Sequence, residues 1–372
     1  PPCGQEVCPY AQGCRQHNKY VGYYLFSEGS GKHPVPHAEG WYYHSNFGYH
    51  MPDLNLDNPA LQEDIAAIAR FWLDRGVKGF RLDAVIHFYE QHGEKNAAFL
   101  NWFNSMVKAH TPDAYIVAEA WSDQGTIMKL YQSGIDSLFD FPVSGADGSI
   151  VKALRAKDGE TLAKTLAQNN QSLKQAHPQA QNAPFLGNHD TGRIAGVLRR
   201  DITNLKLAAA LYLLQPGVPF IYYGEEVGMT GSGRDENKRL PMLWQGDGQG
   251  LTLPPEGADQ PQRQTLGVKE QESDPASLLS FYRALLSARE KCPEMSRGTM
   301  EALPLQHKAI AAYTIKDEQG ACTVLHNLGD DTISLDILWP GTLLFASNNE
   351  HGTPMQQGNT LLLPPKTSCI FK

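Results

Sequence analysis

Nowhere does the sequence hold an uninterrupted apolar run close to the ~20 residues that a membrane-spanning helix requires. The first ten residues also lack the basic start and apolar stretch of a secretory signal. Runs of five or more basic residues are absent, and 32 Lys plus Arg stand against 40 Asp plus Glu. That balance excludes a nucleic-acid footprint, while the net charge of −8 favours solubility. Neither a Gly-x-Gly-x-x-Gly nor a Gly-x-x-x-x-Gly-Lys-Ser/Thr motif follows a strand, so a nucleotide-binding open sheet has no support. Cysteine is scarce too: the six fall into Cys3, Cys8 and Cys14 near one end and Cys292, Cys322 and Cys369 far downstream. The first three lack the Cys-x-x-Cys spacing of zinc ribbons, which favours a disulfide or free thiols over a metal site there. The compartment stays open on this count, with a secreted or periplasmic location slightly preferred over a cytoplasmic one.

What is present suffices for a large core. With 372 residues, 41% of them hydrophobic and 19% charged, more than one domain is expected. Residues 22–56 are rich in Gly, His, Pro, Tyr and Trp without helical periodicity and read as irregular structure. Asn58-Pro59 then signals a helix start, because Asn58 can cap free N–H groups and Pro59 sits where a missing N–H costs nothing. Leu61, Ile65, Ile68 and Trp72 recur on one helical face, and Gly76 closes the segment. Strand and helix signals alternate from there: strands at 77–83, 115–118, 135–139, 183–187 and 218–223, helices at 96–110, 160–176 and 205–214. A last long helix is predicted from Asp274-Pro275 to about Glu290. Such alternation implies a parallel sheet, open or closed into a barrel. After Pro293 the segments 309–315, 321–327, 332–338, 342–346, 360–363 and 368–371 are short, largely apolar and separated by Gly, Asp, Asn and Pro. They read as antiparallel strands of a small all-β domain.

Three of the predicted strands finish in an acid: Asp83 after Gly-Phe-Arg-Leu, Glu119 after Ile-Val-Ala, Asp190 after Phe-Leu-Gly-Asn-His. In a parallel barrel the C-terminal strand ends converge on one face, so acids distant in sequence can share a cleft. Retaining glycoside hydrolysis needs such a set, one carboxylate to attack the anomeric carbon and one carboxyl to protonate the leaving oxygen and then activate water. A single strand-end acid would more often cap the next helix. Three of them, with Arg81 and His189 beside them, point to chemistry.

Gly79-Phe80-Arg81-Leu82-Asp83-Ala84-Val85, Ala118-Glu119-Ala120-Trp121 and Phe185-Leu186-Gly187-Asn188-His189-Asp190 resemble the β4, β5 and β7 motifs of the α-amylase family of glycoside hydrolases. Met51-Pro52-Asp53-Leu54-Asn55 resembles the additional motif of the subgroup between oligo-1,6-glucosidases and neopullulanases, as does Pro219 through Glu226 and on to Pro241-Met242. The likeness runs from about Lys19 onward. It implies a (β/α)8 barrel of which strands four to eight are identified, preceded by an irregular inserted domain at residues 1–57. The barrel portion would span 58–292 and an all-β domain 293–372. By the same resemblance Asp83 would be the nucleophile, Glu119 the general acid/base, and Asp190 the acid that holds sugar hydroxyls. Arg81 lies two residues before Asp83 on the same strand face and would keep it ionised. Glu119 has to enter the reaction protonated, which a partly desolvated cleft favours. His189 would donate to the sugar, or be satisfied in the core. Asp235 and Arg239 match a spacing that binds glucose in the family, and serve equally as a surface ion pair. His87 corresponds to a position on the leaving-group side, although the lysine usual before it is Ile86 here.

Trp41, Tyr42, Tyr43, Phe47 and Tyr49 suit stacking on sugar faces or packing beneath an irregular loop. The resemblance implies no cofactor for the chemistry and a structural calcium for which Asp53, Asn55, Asp57 and Asn58 are oxygen donors, though each is equally a turn or cap residue. The substrate would be an α-glucan or maltooligosaccharide, with Ala84 leaning towards α-1,4 bonds. A glucosyl transferase or isomerase of the same family, and an inactive fragment or non-catalytic carbohydrate-binding member, are the alternatives. Because the first three barrel strands find no match and the chain starts at Pro1, a further N-terminal segment or another chain is expected to complete the barrel.

Overall fold

The computed structural model describes residues 18–28, 34–38, 41–90, 92–260, 266–347 and 352–372. Cys3, Cys8 and Cys14 lie outside the described residues. The chain divides into two compact units, Pro1–Ala120 with Gln132–Ile135, and Trp121–Tyr131 with Asp136–Lys372.

The first unit opens with a small antiparallel sheet that residue-by-residue reading did not foresee. Strands β1 (Phe26–Glu28), β2 (Pro34–Ala38) and β3 (Trp41–His44) pair in the order β1-β3-β2. Helix α1 (Pro59–Leu73) starts as predicted: Asn58 is extended and its side chain accepts from the Ala60 N–H at 2.9 Å, with Pro59 in the first turn. The buried row, however, is Leu61, Ala66, Ala69 and Leu73. Ile68 and Trp72, expected on the packed face, are 59% and 48% exposed, because the small Ala66 and Ala69 rather than the bulky residues line the packed side. Leu61 and Ile65 cluster instead with Phe99 and Trp102 of α2 (Gly93–His110). Between the helices runs β4 (Gly79–Leu82), parallel to β5 (Tyr115–Ala118), with Arg81 opposite Val117 and Leu82 opposite Ala118. The strands approach so closely at Gly79 that a Cβ there would sit 1.9 Å from the Tyr115 carbonyl oxygen.

In the second unit, α3 (Gln124–Tyr131) and β6 (Ser137–Leu138) are followed by α4 (Ser149–Ala156), α5 (Gly159–Ala176), α6 (Ile194–Val197) and α7 (Ile202–Leu213). Then come α8 (Asp235–Lys238), α9 (Val268–Glu272), α10 (Leu278–Glu290) and α11 (Glu294–Arg297). The strands expected at 183–187 and 218–223 are reduced to parallel bridges, Phe139 with Ala183 and Phe185 with Phe220. Pro184 has no N–H to give to this neighbour, so the pairing is carried by Val218 N–H to Asn182 O at 2.8 Å and Phe220 N–H to Pro184 O at 2.9 Å. Helix α10 begins at Leu278 under a Ser277 cap, later than Asp274-Pro275 suggested. Helix α7 is buried along almost its whole length and packs in one cluster with residues of α4, α5, α10 and the C-terminal sheet.

That sheet has five antiparallel strands in the order β11 (Leu343–Ala346), β14 (Ser368–Phe371), β9 (Ala321–Asn327), β8 (Ile310–Lys316) and β7 (Thr299–Ala302). A second sheet orders β10 (Ile333–Leu335), β13 (Thr360–Leu363) and β12 (Met355–Gln357). Ile310, Leu325, Leu335, Leu361, Leu363 and Phe371 form the core of this domain. Strands β7 and β12 were not predicted, since their mixed polar residues carry little strand signal.

Candidate active site

Asp83 and Glu119 follow the last paired residues of β4 and β5, so parallel register alone sets them side by side. The backbone locks this arrangement: Glu119 N–H donates to Leu82 O at 2.8 Å and Val85 N–H to Glu119 O at 2.9 Å. Ala84 makes the second bond possible by turning the chain in the left-handed region (φ 44°, ψ 46°), an uncommon conformation for a residue with a side chain. Arg81 joins the two acids, with Nη1 donating to Asp83 Oδ1 and Nη2 to Glu119 Oε2. The environments of the two acids differ sharply: the Glu119 side chain is 9% exposed and that of Asp83 74%. An open carboxylate beside a sequestered one, both oriented by one guanidinium, is a suitable pair for nucleophile and acid/base.

The loop after Asp83 is pinned by a residue that the sequence reading missed. The buried Asn96 side chain accepts from Tyr89 N–H at 2.8 Å and donates to Ile86 O at 3.0 Å, tying the loop to the start of α2. His87 sits in this loop with its ring edge-on to Phe47 at 5.1 Å. Phe47 and Tyr49 are 58% and 76% exposed, while the Tyr43 hydroxyl donates to the Tyr49 carbonyl. The side chain of Trp41 lies outside the described residues.

The expected calcium donors engage separate local partners. Asn58 Oδ1 caps α1, and its Nδ2 donates to Gly22 O at 2.8 Å, as Asn55 Nδ2 does at 3.2 Å. Asp57 pairs with Lys95 at 3.0 Å, and Asp53 accepts from Asn46 Nδ2 at 2.9 Å. Burial raises the Asp53 carboxyl above its ordinary range, opposed by the Asn46 backbone N–H. Asp53, Asp57 and Asn58 thus each place an oxygen on a local partner, whereas Asn55 is held through its amide nitrogen.

In the second unit Asp190 heads a charged cluster. Asn188 Oδ1 accepts from the Asp190 and Thr191 N–H groups, both at 2.9 Å, which shapes the turn that presents the acid. Arg239 Nη2 donates to Asp190 Oδ1 at 2.9 Å, and His189 Nε2 lies 3.0 Å from Oδ2. Asp235 is 3.6 Å from Arg239 and receives Lys238 Nζ at 2.8 Å, contacts that hold its carboxyl below the usual range, Lys238 foremost. Asp235 and Arg239 therefore do form an ion pair, and its arginine is also the partner of Asp190.

Two further residues escaped sequence reasoning. Lys238 Nζ donates to the Asp190 carbonyl at 2.8 Å as well as to Asp235. Arg193 is buried, donates to Tyr223 O at 2.6 Å and Lys238 O at 3.0 Å, and stacks over the rings of Tyr222 and Tyr223. It joins the segment after Phe220 to the segment that carries Arg239. Its only advance signal was a cation three residues beyond Asp190, opposite a Tyr-Tyr pair of no obvious role. Trp121, 54% exposed, stacks on Phe141 at 4.9 Å with 18° between the rings.

The sequence pattern of the α-amylase catalytic domain matches residues 3–298. The chain belongs to the α-amylase family. Among its relatives, Alpha-amylase 3 of Dictyoglomus thermophilum is 34% identical over 325 residues, which cover 83% of this chain and 62% of that protein. Trehalose synthase/amylase TreS of Mycobacterium tuberculosis is 29% identical over 333 residues, 75% of this chain and 54% of that protein. The chain thus spans less than two-thirds of the length of these curated relatives. Among solved structures, Eubacterium rectale Amy13B superposes with a TM-score of 0.90 at 33% identity, covering 98% of this chain and 72% of that one. The α/β fold is accordingly the family's (β/α)8 type with a C-terminal antiparallel β domain, as the motif resemblance implied.

Proposed function

We propose that this α-amylase family member is a retaining hydrolase of α-glucans, starch and maltooligosaccharides, acting within chains at α-1,4 bonds. The observation that carries this reading is Arg81 holding one oxygen each of Asp83 and Glu119 at adjacent parallel strand ends. A retaining pair works at about 5–5.5 Å separation, which suits two carboxyl groups shared by one guanidinium.

Asp83, the more open acid, attacks the anomeric carbon while Glu119 gives its proton to the leaving glycosidic oxygen. The glycosyl–Asp83 ester is then cleaved by a water whose proton Glu119 takes back. Asp190, oriented by Arg239 and His189, accepts hydrogen bonds from sugar hydroxyls, and these strengthen as positive charge develops on the ring. Trp121 offers a flat apolar face to a further sugar. Each of these steps is carried by a side chain of the protein.

Two measurements test this. Proton NMR of the first product should show the α anomer; a β-configured first product would reject Asp83 as nucleophile. Glu119→Gln should slow cleavage of natural glucans far more than that of aryl glycosides with good leaving groups, since only the former need protonation. Equal losses on both would remove Glu119 from the acid role. The relationship to a trehalose synthase/amylase favours glucosyl isomerisation as the second reading. Maltose converted to a non-reducing isomer rather than to glucose would establish it.

We further infer that additional polypeptide, from the same protein or another chain, covers α1 in the active enzyme. Ile68, Phe71 and Trp72 on that helix are 59%, 45% and 48% exposed, an apolar set that water solvates poorly. Mass spectrometry of the catalytically active species will identify that polypeptide, and full starch hydrolysis by this chain as a monomer would dismiss the inference.

A further inference from the structure

Among the described residues, one group of metal-ligating side chains lies outside the catalytic clusters: Cys292, Glu294 and Cys322, with ligand atoms all within 4.8 Å of one another. Cys292 follows α10, Glu294 opens α11, and Cys322 lies on β9 opposite Ile315. All three are almost wholly sequestered, the cysteines at 1% exposure each and Glu294 at 0%. Both cysteines are free thiols.

Glu294 is the residue that needs explaining. Burying a carboxylate is costly unless its oxygens are satisfied. Lys372 Nζ lies 3.3 Å from Oε2 and gives a shorter bond, 2.8 Å, to the Lys291 carbonyl. Oε1 finds no N–H or O–H donor, and the Cys322 thiol is the carboxylate's other hydrogen-bonding neighbour. A disulfide would take away the thiol beside this carboxylate, whereas a cation between the two sulfurs would engage its oxygen directly.

We propose that Cys292, Cys322 and Glu294 form a buried binding site for a thiophilic divalent cation of the Zn²⁺ class. Two sulfurs and one oxygen suit that ion, with Zn–S near ~2.3 Å and Zn–O about 2.0–2.2 Å, and water can complete the tetrahedron. Those bond lengths set ligand–ligand edges of about 3.6–3.8 Å, so the present group needs to contract by up to about 1.2 Å. Binding converts both thiols to thiolates and releases two protons to solvent, with no change of oxidation state. Lys372, together with the buried Arg289 guanidinium, offsets the charge of the three anionic ligands. The ion would fasten the end of α10 and the start of α11 to the C-terminal sheet, acting on stability rather than on glycoside chemistry.

The test uses the whole chain carrying C3S, C8S and C14S, so that the N-terminal thiols contribute nothing. The metal-free protein is titrated with Cd²⁺ and with Zn²⁺. The expected result is one ion per chain by elemental analysis, an ultraviolet thiolate-to-Cd²⁺ charge-transfer band, and a thermal midpoint raised by Zn²⁺ and lowered again by chelator. E294Q should weaken Zn²⁺ binding at least about tenfold, and C322A or C292S should abolish the band. Absence of the band, its survival in both cysteine variants, or unchanged affinity in E294Q overturns the site. So does a Cys292–Cys322 disulfide that, once reduced, still takes up no metal.

Discussion

Glu225 offers the sharpest test of how burial shapes this molecule. Its carboxyl is fully enclosed, and Oε1 accepts from the hydroxyls of Tyr212 and Tyr282, each at 2.8 Å. Burial raises its pKa from 4.5 to about 7; the two tyrosine hydrogen bonds pull the other way without cancelling that effect. A carboxyl whose pKa is raised on folding stabilises the native state fully below the unfolded value, and that contribution is lost as pH rises through the folded value. The window is therefore pH 4.5 to about 7, and a shift of this size corresponds to a loss of about 3 kcal/mol. Glu225→Gln replaces the protonated acid by a neutral isostere that can still accept from both tyrosines. The variant should match wild type in stability near pH 4 and exceed it by about 3 kcal/mol at pH 8. Urea unfolding at half-unit pH steps measures this, and the difference between the two proteins isolates Glu225 from other titrating groups. Asp140, raised to about 6 chiefly by burial, contributes equally to both proteins and drops out. A difference that stays constant across this range, or a variant less stable than wild type at pH 8, would refute the reasoning.

His326 should act in the opposite direction: burial lowers its pKa from 6.5 to about 3, so stability present above 6.5 is lost as pH falls, by about 2 kcal/mol at pH 5. His326→Gln should flatten that acid limb, and NMR titration of the His326 ring should find no protonation at pH 5. Asp190→Asn should leave the fold intact by circular dichroism while lowering kcat about 10²–10³-fold, because the hydrogen bonds proposed between this carboxylate and sugar hydroxyls would strengthen in the transition state. Undiminished turnover would remove Asp190 from the site. Gly79→Ala should destabilise by more than about 2 kcal/mol in urea unfolding, since its Cβ would meet backbone rather than a movable side chain. A neutral result there would mean that the β4–β5 spacing is not rigid.

Much of this protein was legible from its residues alone. The proposed catalytic pair could be found because Arg81, Asp83 and Glu119 sit on and just after strand ends, where period-two geometry and parallel register decide direction and neighbour without further packing. The start of α1 was equally local, resting on Asn58 and Pro59. Longer-range matters were not readable. Ile68 and Trp72 obey helical periodicity, yet periodicity states which residues share a face and not which face is covered; Ala66 and Ala69 settled that through packing. Pro184 removes a ladder donor between two expected strands, a cost that depends on which neighbour the strand meets. Arg193, Lys238 and Asn96 became site residues only because the fold brought carbonyls to them from segments 10 to 48 residues away. The Cys292–Glu294–Cys322 group belongs to the same class, for residues 30 positions apart become a potential ligand set only when α10 and the C-terminal sheet are packed together. Sequence spacing thus determined the chemistry that lies along one strand or one turn, whereas burial, ion-pair partners and every contact between distant segments were decided by tertiary packing, which no local pattern encodes.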